Sequence, residues 1–167
     1  MSKSLYLVRH AKSDWSIPGR KDFERDLNGR GMMDAPNMGK KLYELQVKPD
    51  LLVSSGAVRA KATAELIGEQ LKYEFDKIHF NDEIYEASLR TMLGIINGFD
   101  NKVNQIMMFG HNPGMTYLAE YLTKENIGDI PTCGVVAIEF DNDNWAEVSG
   151  GTGTLKFFIY PKKDITT

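Results

Sequence analysis

The sequence contains too few cysteines to build a disulfide framework. Its single cysteine, Cys133, has no second thiol in the chain to pair with, whereas small secreted domains often depend on several bridges. No apolar run approaches the length of a membrane span, and the first five residues lack the apolar core of a signal peptide. These absences predict a reduced, cytoplasmic protein with no membrane partner.

An excess of positive charge is also missing. Lys and Arg together number 20 against 23 Asp and Glu, which gives a formal charge of −3. Proteins that hold a nucleic-acid backbone normally carry a cationic surplus, so the composition argues against a nucleic-acid partner. The 167 residues, of which 42% are hydrophobic and 26% charged, instead predict one globular domain over residues 1–167.

Several common catalytic motifs are absent as well. The chain has no His-Glu-x-x-His sequence, no cysteine pair and no glycine-rich loop that ends in Lys-Ser or Lys-Thr. Those motifs mark zinc hydrolases, cysteine-based metal or redox sites, and nucleotide-binding loops. The sequence therefore carries none of these signs of a metal or a cofactor.

The hydrophobic pattern indicates an α/β fold. Short continuous apolar runs at residues 5–8, 51–53 and 106–109 predict central strands, because a strand buried on both faces lacks the alternation of a half-exposed one. Apolar residues spaced by three and four positions predict helices between and after these runs. Strands and helices that alternate in this way are typical of a sheet covered by helices.

Additional strands are predicted at the edges of this sheet. One is a short strand at residues 77–80, and two more at 135–140 and 154–160 form an antiparallel hairpin joined by the glycine-rich turn 150–153. The predicted fold class is therefore a three-layer α/β sandwich. It has a central, mostly parallel sheet, helices on both faces and an antiparallel element near the C-terminus.

The helix ends are predicted from capping residues and prolines. The first helix is expected from Gly29, although Pro36 implies either that its first turn begins near that proline or that the helix is kinked there. One of residues 54–56 is expected to cap the second helix. Pro113 suits the first position of the last helix.

Two of the predicted central strands end directly in a histidine. These are His10 and His111, and the carboxyl ends of strands form the ligand-binding edge of an open α/β sheet. Arg9 precedes the first histidine, while Arg59 lies in the first turn of the helix after the second strand. An arginine offers a planar fork that bonds two phosphate oxygens at once. Two arginines and two histidines at one edge therefore predict a site for a phosphoryl group.

Each of these residues alone would predict little. A lone histidine at the end of a strand is usually structural, and a lone arginine in a first helical turn is usually solvated. The prediction of a site depends on their convergence at one edge of the sheet.

Three short segments carry a family resemblance. They are Leu-Val-Arg-His-Ala-Lys-Ser at residues 7–13, Val-Ser-Ser-Gly-Ala-Val-Arg-Ala-Lys-Ala-Thr-Ala at residues 53–64, and Phe-Gly-His-Asn-Pro-Gly at residues 109–114. In this order they resemble the motifs of the histidine phosphatase (phosphoglycerate mutase-like) superfamily. Together with Glu-Arg-Asp-Leu at residues 24–27, they are most similar to the SixA-type phosphohistidine phosphatases. The resemblance extends from residue 5 to about residue 140.

The resemblance implies a fold, a reaction and a set of residue roles. The fold would be phosphoglycerate mutase-like, and His10 would be the nucleophile that forms a phosphohistidine intermediate. The phosphoryl oxygens would be bound by Arg9, Arg59 and His111, with no metal. Two polar side chains of the first and third segments would add phosphate contacts: Ser13 and Asn112.

The general acid is less clearly indicated. The superfamily takes a carboxylate from the segment before the third helix, where this chain has Glu83 and Glu86. Glu83 is favoured by its position, but both could be exposed surface charges. The sequence also leaves two locations for Arg25, one facing the pocket and one solvated at the surface. The acid matters for an alcohol leaving group, which needs a proton, whereas imidazole, with a pKa of about 6.5, departs readily from a phosphoramidate.

The predicted function is hydrolysis of phosphohistidine on a signalling or phosphotransfer protein. One alternative is a phosphatase that acts on small phosphorylated metabolites by the same mechanism, and a second is a non-catalytic module that binds phosphate. Larger members of the superfamily have an insertion that roofs the site between the positions of Glu83 and His111, and this interval is too short here to contain one. The resemblance therefore implies an open rim, which favours a phosphoprotein substrate.

Overall fold

The computed structural model of the chain describes residues 2–162. Within that range the backbone forms six strands and four α-helices, with four short 3-10 helices between them. The strands are β1 (Lys3–Arg9), β2 (Leu51–Ser54), β3 (His79–Phe80), β4 (Gln105–Gly110), β5 (Val135–Phe140) and β6 (Gly153–Ile159). The α-helices are α1 (Gly29–Glu44), α2 (Val58–Gln70), α3 (Leu89–Asn97) and α4 (Gly114–Thr123). The 3-10 helices are Asp22–Glu24, Phe75–Lys77, Asp82–Ile84 and Trp145–Glu147.

All six strands belong to one sheet in the order β3-β2-β4-β1-β5-β6. The first four strands of this order run parallel, while β5 pairs antiparallel with β1, and β6 antiparallel with β5. In register, Arg9 lies opposite Gly110, and Ser54 lies opposite Phe109. The segments that follow β1, β2 and β4 therefore emerge side by side at one edge of the sheet.

Hydrophobic cores on both faces of the sheet make the fold a three-layer sandwich. Successive residues of a central strand point to opposite cores, as Met107 and Met108 of β4 do. One core packs helices α1 and α2 against the sheet through Ala35, Met38, Leu42, Ala64 and Ile67. The other core packs helices α3 and α4 through Met92, Ile96, Met115, Leu118 and Leu122. The predicted fold class is confirmed.

Several predicted element ends were wrong by a few residues. Helix α1 already begins at Gly29, because the side chain of Asn28 accepts a hydrogen bond from the Gly31 amide and caps it, so a start near Pro36 is wrong. Helix α2 has Ala57 at its N-cap with no side-chain hydrogen bond, which makes a cap at residues 54–56 wrong. Pro113 is the N-cap of α4, one position before the predicted one.

The edge strands also differ in detail from their prediction. Strand β3 is shorter than predicted, because residues 75–77 form a 3-10 turn instead. The two C-terminal strands do pair as an antiparallel hairpin, but their connection over residues 141–152 includes a 3-10 turn and is longer than the predicted glycine-rich one. Among residues 2–162, no helix combines the length and the apolar character needed to cross a membrane.

Candidate active site

His10 follows the last residue of β1 and lies at the edge where the parallel strands end. Its backbone amide donates to the carbonyl of Gly110, which continues the pairing of β1 with β4. The ring nitrogen Nδ1 lies 2.7 Å from the carbonyl oxygen of Ala11, to which only a protonated nitrogen can donate. A neutral imidazole carries a single N–H, so Nε2 keeps its lone pair. Arg59 Nε donates to this Nε2 at 3.4 Å, which agrees with the same tautomer.

Burial keeps this ring neutral. The pKa of His10 is lowered from 6.5 to about 4, mainly by burial; the hydrogen bond to Ala11 opposes this shift, and the charges of Arg59 and Arg9 add to it. Burial is likewise the main reason why the pKa of His111 is lowered to about 3. Both imidazoles are therefore uncharged at neutral pH, as a nitrogen nucleophile must be.

The two histidines make stability depend on pH. Because each folded pKa lies below the unfolded value of about 6.5, the unfolded chain binds more protons as the pH falls. We expect the free energy of unfolding to be fully developed above about pH 7 and to decrease as the pH falls towards the folded pKa values, about 4 for His10 and about 3 for His111. Denaturant unfolding at several pH values measures this free energy. A double variant, His10→Gln with His111→Gln, should flatten the dependence between about pH 7 and about pH 5, and an equal slope in both proteins would contradict the assignment.

His111 follows β4 and packs next to His10, with their ring centroids 5.3 Å apart. Its Nε2 lies 2.9 Å from Oγ of Ser55, which directly follows β2. The ring of Tyr85 meets His111 edge-on, at 5.3 Å between centroids and 87° between planes. The other ring nitrogen of His111, Nδ1, is buried and has no hydrogen-bond partner within residues 2–162. The structure thus brings together the two histidines that the sequence predicted at one edge.

Arg59 is buried in the first turn of α2, and its guanidinium group binds Asp22 as well as His10. Its Nη1 donates to the Asp22 carbonyl at 2.6 Å and its Nη2 to the Asp22 carboxylate at 2.9 Å. The carboxylate also accepts hydrogen bonds from Arg25, at 2.9 Å from Nη2 and 3.1 Å from Nε, and from the Tyr85 hydroxyl at 2.5 Å. These bonds, that of Tyr85 above all, lower the pKa of Asp22 well below its usual range, so its carboxylate stays ionised.

Asp22 and Tyr85 were missed by the sequence reasoning. The segment 11–28 reads as a polar surface loop, and no local pattern indicates that one of its carboxylates reaches α2. The contact of Asp22 with Arg59 ties this loop to the site, in which His10 is only 7% exposed.

Arg25 belongs to the same cluster of charges. It is 7% exposed, so the solvated alternative is wrong. Its Nη1 donates to Oγ of Ser13, and its guanidinium carbon lies 3.5 Å from the centroid of the Trp15 ring. Ser13, a predicted phosphate contact, is therefore buried beside an arginine of the site.

Arg9 and Asn112 both bind the carbonyl oxygen of Ile130. Arg9 donates to it from Nη1 at 2.8 Å, and Asn112 from its side-chain amide at 3.0 Å. The amide oxygen of Asn112 accepts from the backbone N–H and the hydroxyl of Thr116. Its side chain thus has structural partners at both ends, whereas Nε of Arg9 is buried and has no partner within residues 2–162.

The candidate acids lie on either side of Tyr85 in the sequence, on the surface of the protein. Glu83 and Glu86 are exposed, Glu83 within the short helix Asp82–Ile84 and Glu86 just after it. In the described part of the chain, neither carboxylate is hydrogen-bonded to His10, His111 or Arg59. Residues 2–162 also contain no group of three or more His, Cys, Asp or Glu side chains arranged to hold a metal ion.

Comparison with known protein families identifies the family to which the chain belongs. The model of the histidine phosphatase superfamily (branch 1) matches residues 5–97, a range that contains Arg9, His10 and Arg59 and ends before His111. The chain belongs to the histidine phosphatase superfamily. The family predicted from the three segments is therefore confirmed, and membership supports phosphatase activity and a hydrolase reaction.

Individual related proteins show how far the similarity extends. A solved structure of a candidate phosphohistidine phosphatase, SixA, from Agrobacterium tumefaciens is 28% identical, with a TM-score of 0.81 over 96% of this chain and 99% of that one. An uncharacterized chloroplastic protein of Arabidopsis thaliana is 28% identical over 92% of this chain and 73% of its own. A mitochondrial serine/threonine-protein phosphatase of Drosophila mojavensis is 32% identical over 46% of this chain but only 26% of its own length.

Proposed function

We propose that this chain hydrolyses phosphohistidine on a phosphoprotein through a phosphorylated His10, without a metal ion. The observation that carries the proposal is the state of the His10 ring. Donation from Nδ1 to Ala11 leaves Nε2 unprotonated, and its lone pair accepts a long hydrogen bond of 3.4 Å from Nε of Arg59. An uncharged nitrogen beside a fixed cation combines a nucleophile with a group that stabilises phosphoryl charge.

The reaction proceeds in two displacements. In the first, Nε2 of His10 attacks phosphorus, the bond from phosphorus to the substrate imidazole breaks, and the imidazole leaves with the electron pair of that bond and takes up a proton. In the second, water attacks the phosphoryl group on His10, gives up a proton, and releases inorganic phosphate and the neutral ring. Phosphoryl transfer depends mainly on positioning and on cationic stabilisation, which Arg9 and Arg59 supply.

The carboxylates near the site favour a nitrogen leaving group over an alcohol. Asp22 is bonded to the arginines of the site, but its depressed pKa keeps it ionised, so it holds no proton to give. Glu83 and Glu86 are exposed and are bonded to neither histidine. An alcohol leaving group needs an acid, whereas the imidazole of phosphohistidine departs readily. The site therefore suits phosphohistidine better than a phosphate ester.

A protein is the favoured carrier of that phosphohistidine. Helix α3 and strand β4 fill most of the interval from Glu83 to His111, which leaves no inserted segment over this side of the site. The names of two related proteins, from Agrobacterium tumefaciens and Drosophila mojavensis, also describe a phosphohistidine phosphatase and a protein phosphatase.

The experiment compares two substrates and traps the intermediate. We expect the wild-type protein to dephosphorylate a phosphohistidine-bearing protein much faster than p-nitrophenyl phosphate, to carry acid-labile phosphate, and to keep its activity in a chelator. The Glu83→Gln variant should retain phosphohistidine turnover within about threefold, because imidazole leaves without a strong acid. Strong activity on alkyl phosphates that disappears in Glu83→Gln would instead establish the metabolite phosphatase. Phosphate binding without labelling or turnover would establish a binding module.

A further inference from the structure

Ser55 is a fully buried serine that has no part in the mechanism derived so far. It follows β2, at the edge where the strands of the two histidines also end. Its Oγ lies 2.9 Å from Nε2 of His111 and accepts a hydrogen bond from the backbone N–H of Ala57 at 3.1 Å. A hydroxyl offers one proton and two lone pairs, so the Ala57 amide leaves it the proton and one lone pair for His111.

Two arrangements of protons fit this contact. If Nε2 carries the ring proton, it donates to Ser55; the hydroxyl proton then lacks an acceptor and the lone pair of Nδ1 lacks a donor. If Ser55 donates to Nε2, the ring proton is on Nδ1, and that N–H is the one group left unpartnered. Buried polar groups without partners are costly, so the arrangement with one such group is favoured over the arrangement with two.

We propose that Ser55 is a positioning residue, which donates to Nε2 of His111 and thereby holds this ring as an Nδ1–H donor for a phosphoryl oxygen. The part that concerns the phosphoryl oxygen rests on the proposed function. Both histidines then carry their proton on Nδ1, with different results. His10 directs its N–H to the Ala11 carbonyl and leaves Nε2 unprotonated, while Nε2 of His111 accepts from Ser55 and its N–H has no partner within residues 2–162.

This arrangement gives the unpartnered Nδ1–H a use. A phosphoryl group transferred to His10 lies beside His111, because the two rings are 5.3 Å apart at their centroids. A donor that is already desolvated and oriented stabilises developing charge more than one that must first give up water. Ser55 therefore acts on the reaction through His111 and touches no reacting atom itself.

The tautomer can be measured without any activity. In the wild-type protein, nitrogen-15 NMR of the histidine rings at neutral pH should show His111 protonated on Nδ1 and unprotonated on Nε2. Ser55→Ala should move His111 towards the Nε2–H form, and Ser55→Cys, which keeps a weak donor of similar size, should give an intermediate population. Ser54→Ala is the matched control, because Ser54 is equally buried but donates to the Ser55 carbonyl and leaves the His111 tautomer unchanged.

Inorganic phosphate tests the donation to a phosphoryl oxygen. Adding it should move the Nδ1–H proton signal of His111 downfield in the wild type, and Ser55→Ala should weaken this shift. In turnover, Ser55→Ala should lower kcat by about tenfold to a hundredfold, with a much smaller change in KM. This is the size of effect seen when a group that orients a metal-bound histidine is removed. Ser55→Cys should recover part of the loss.

The outcomes separate this inference from the proposed function. A wild-type His111 protonated on Nε2, or an unchanged tautomer in a folded Ser55→Ala, overturns the role of Ser55. If Ser55→Ala does not fold, the wild-type and Ser55→Cys spectra decide. A wild-type protein with the expected tautomer and phosphate shift, but without phosphohistidine turnover, supports the inference and rejects the proposed function alone.

Discussion

Turnover of a phosphohistidine-bearing protein should fall about a thousandfold or more when His10 is replaced by alanine, because the variant has no nitrogen to accept the phosphoryl group. Arg9, Arg59 and His111 remain, so inorganic phosphate should still bind. The measurement is single-turnover kinetics combined with acid quenching. The wild type should accumulate acid-labile protein phosphate, whereas His10→Ala should accumulate none.

His79 provides the control for this substitution. It is an exposed histidine on the edge strand β3, so His79→Ala removes the same side chain from a position outside the cluster of charges. Its turnover and labelling should equal those of the wild type. Thermal unfolding of both variants separates lost chemistry from lost folding. Acid-labile phosphate on a folded His10→Ala protein would place the nucleophile elsewhere.

Arg59 is expected to have the second largest effect. Arg59→Ala should lower kcat by about a thousandfold, a loss typical of an arginine that stabilises phosphoryl transfer. Arg59→Lys should recover only about tenfold of this loss in kcat, because a lysine carries the positive charge but not the planar, forked guanidinium group. In the wild type, Nε faces His10 while Nη1 and Nη2 hold the carbonyl and the carboxylate of Asp22, and one ammonium group cannot reach all three.

The matched control for Arg59→Lys is Arg30→Lys on α1. Arg30 is 43% exposed and pairs with Asp34, so the same change there should leave kcat unaltered. Full activity in Arg59→Lys would mean that the reaction needs only a positive charge at this position. An increase in KM with an unchanged kcat would mean that Arg59 binds substrate and transition state equally well.

Sequence reasoning was most successful where one continuous segment carries the signal. Strand β4 was predicted within one residue because its apolar run is unbroken. The rule that the carboxyl ends of strands form one ligand-binding edge placed His10 and His111 together, and the observed pairing of β1 with β4 makes them neighbours there. The main features of the fold and the histidine pair could therefore be predicted.

The rest depends on contacts between segments that are distant in sequence. Asp22 and Tyr85 are separated by 63 positions, and neither lies in a periodic element that would specify the direction of its side chain. Ser55 illustrates the same limit. Its position before a helix predicts a cap, but its hydroxyl contacts a histidine 56 positions away. The partner that such a side chain contacts is decided by the folded site and not by local propensity.

Asp22 has a consequence for how this site discriminates among anions. Arg59 and Arg25 already hold a carboxylate of the protein's own, so binding an external anion to the groups that hold it is an exchange and not a simple addition. The observed affinity is then the difference between two sets of ion pairs. A monoanionic carboxylate would replace Asp22 with an equal charge, so its binding free energy would be small. A phosphoryl dianion brings a second negative charge and would bind the arginines more strongly. An internal competitor of this kind also lowers the affinity for the released phosphate and so favours its departure after each turnover.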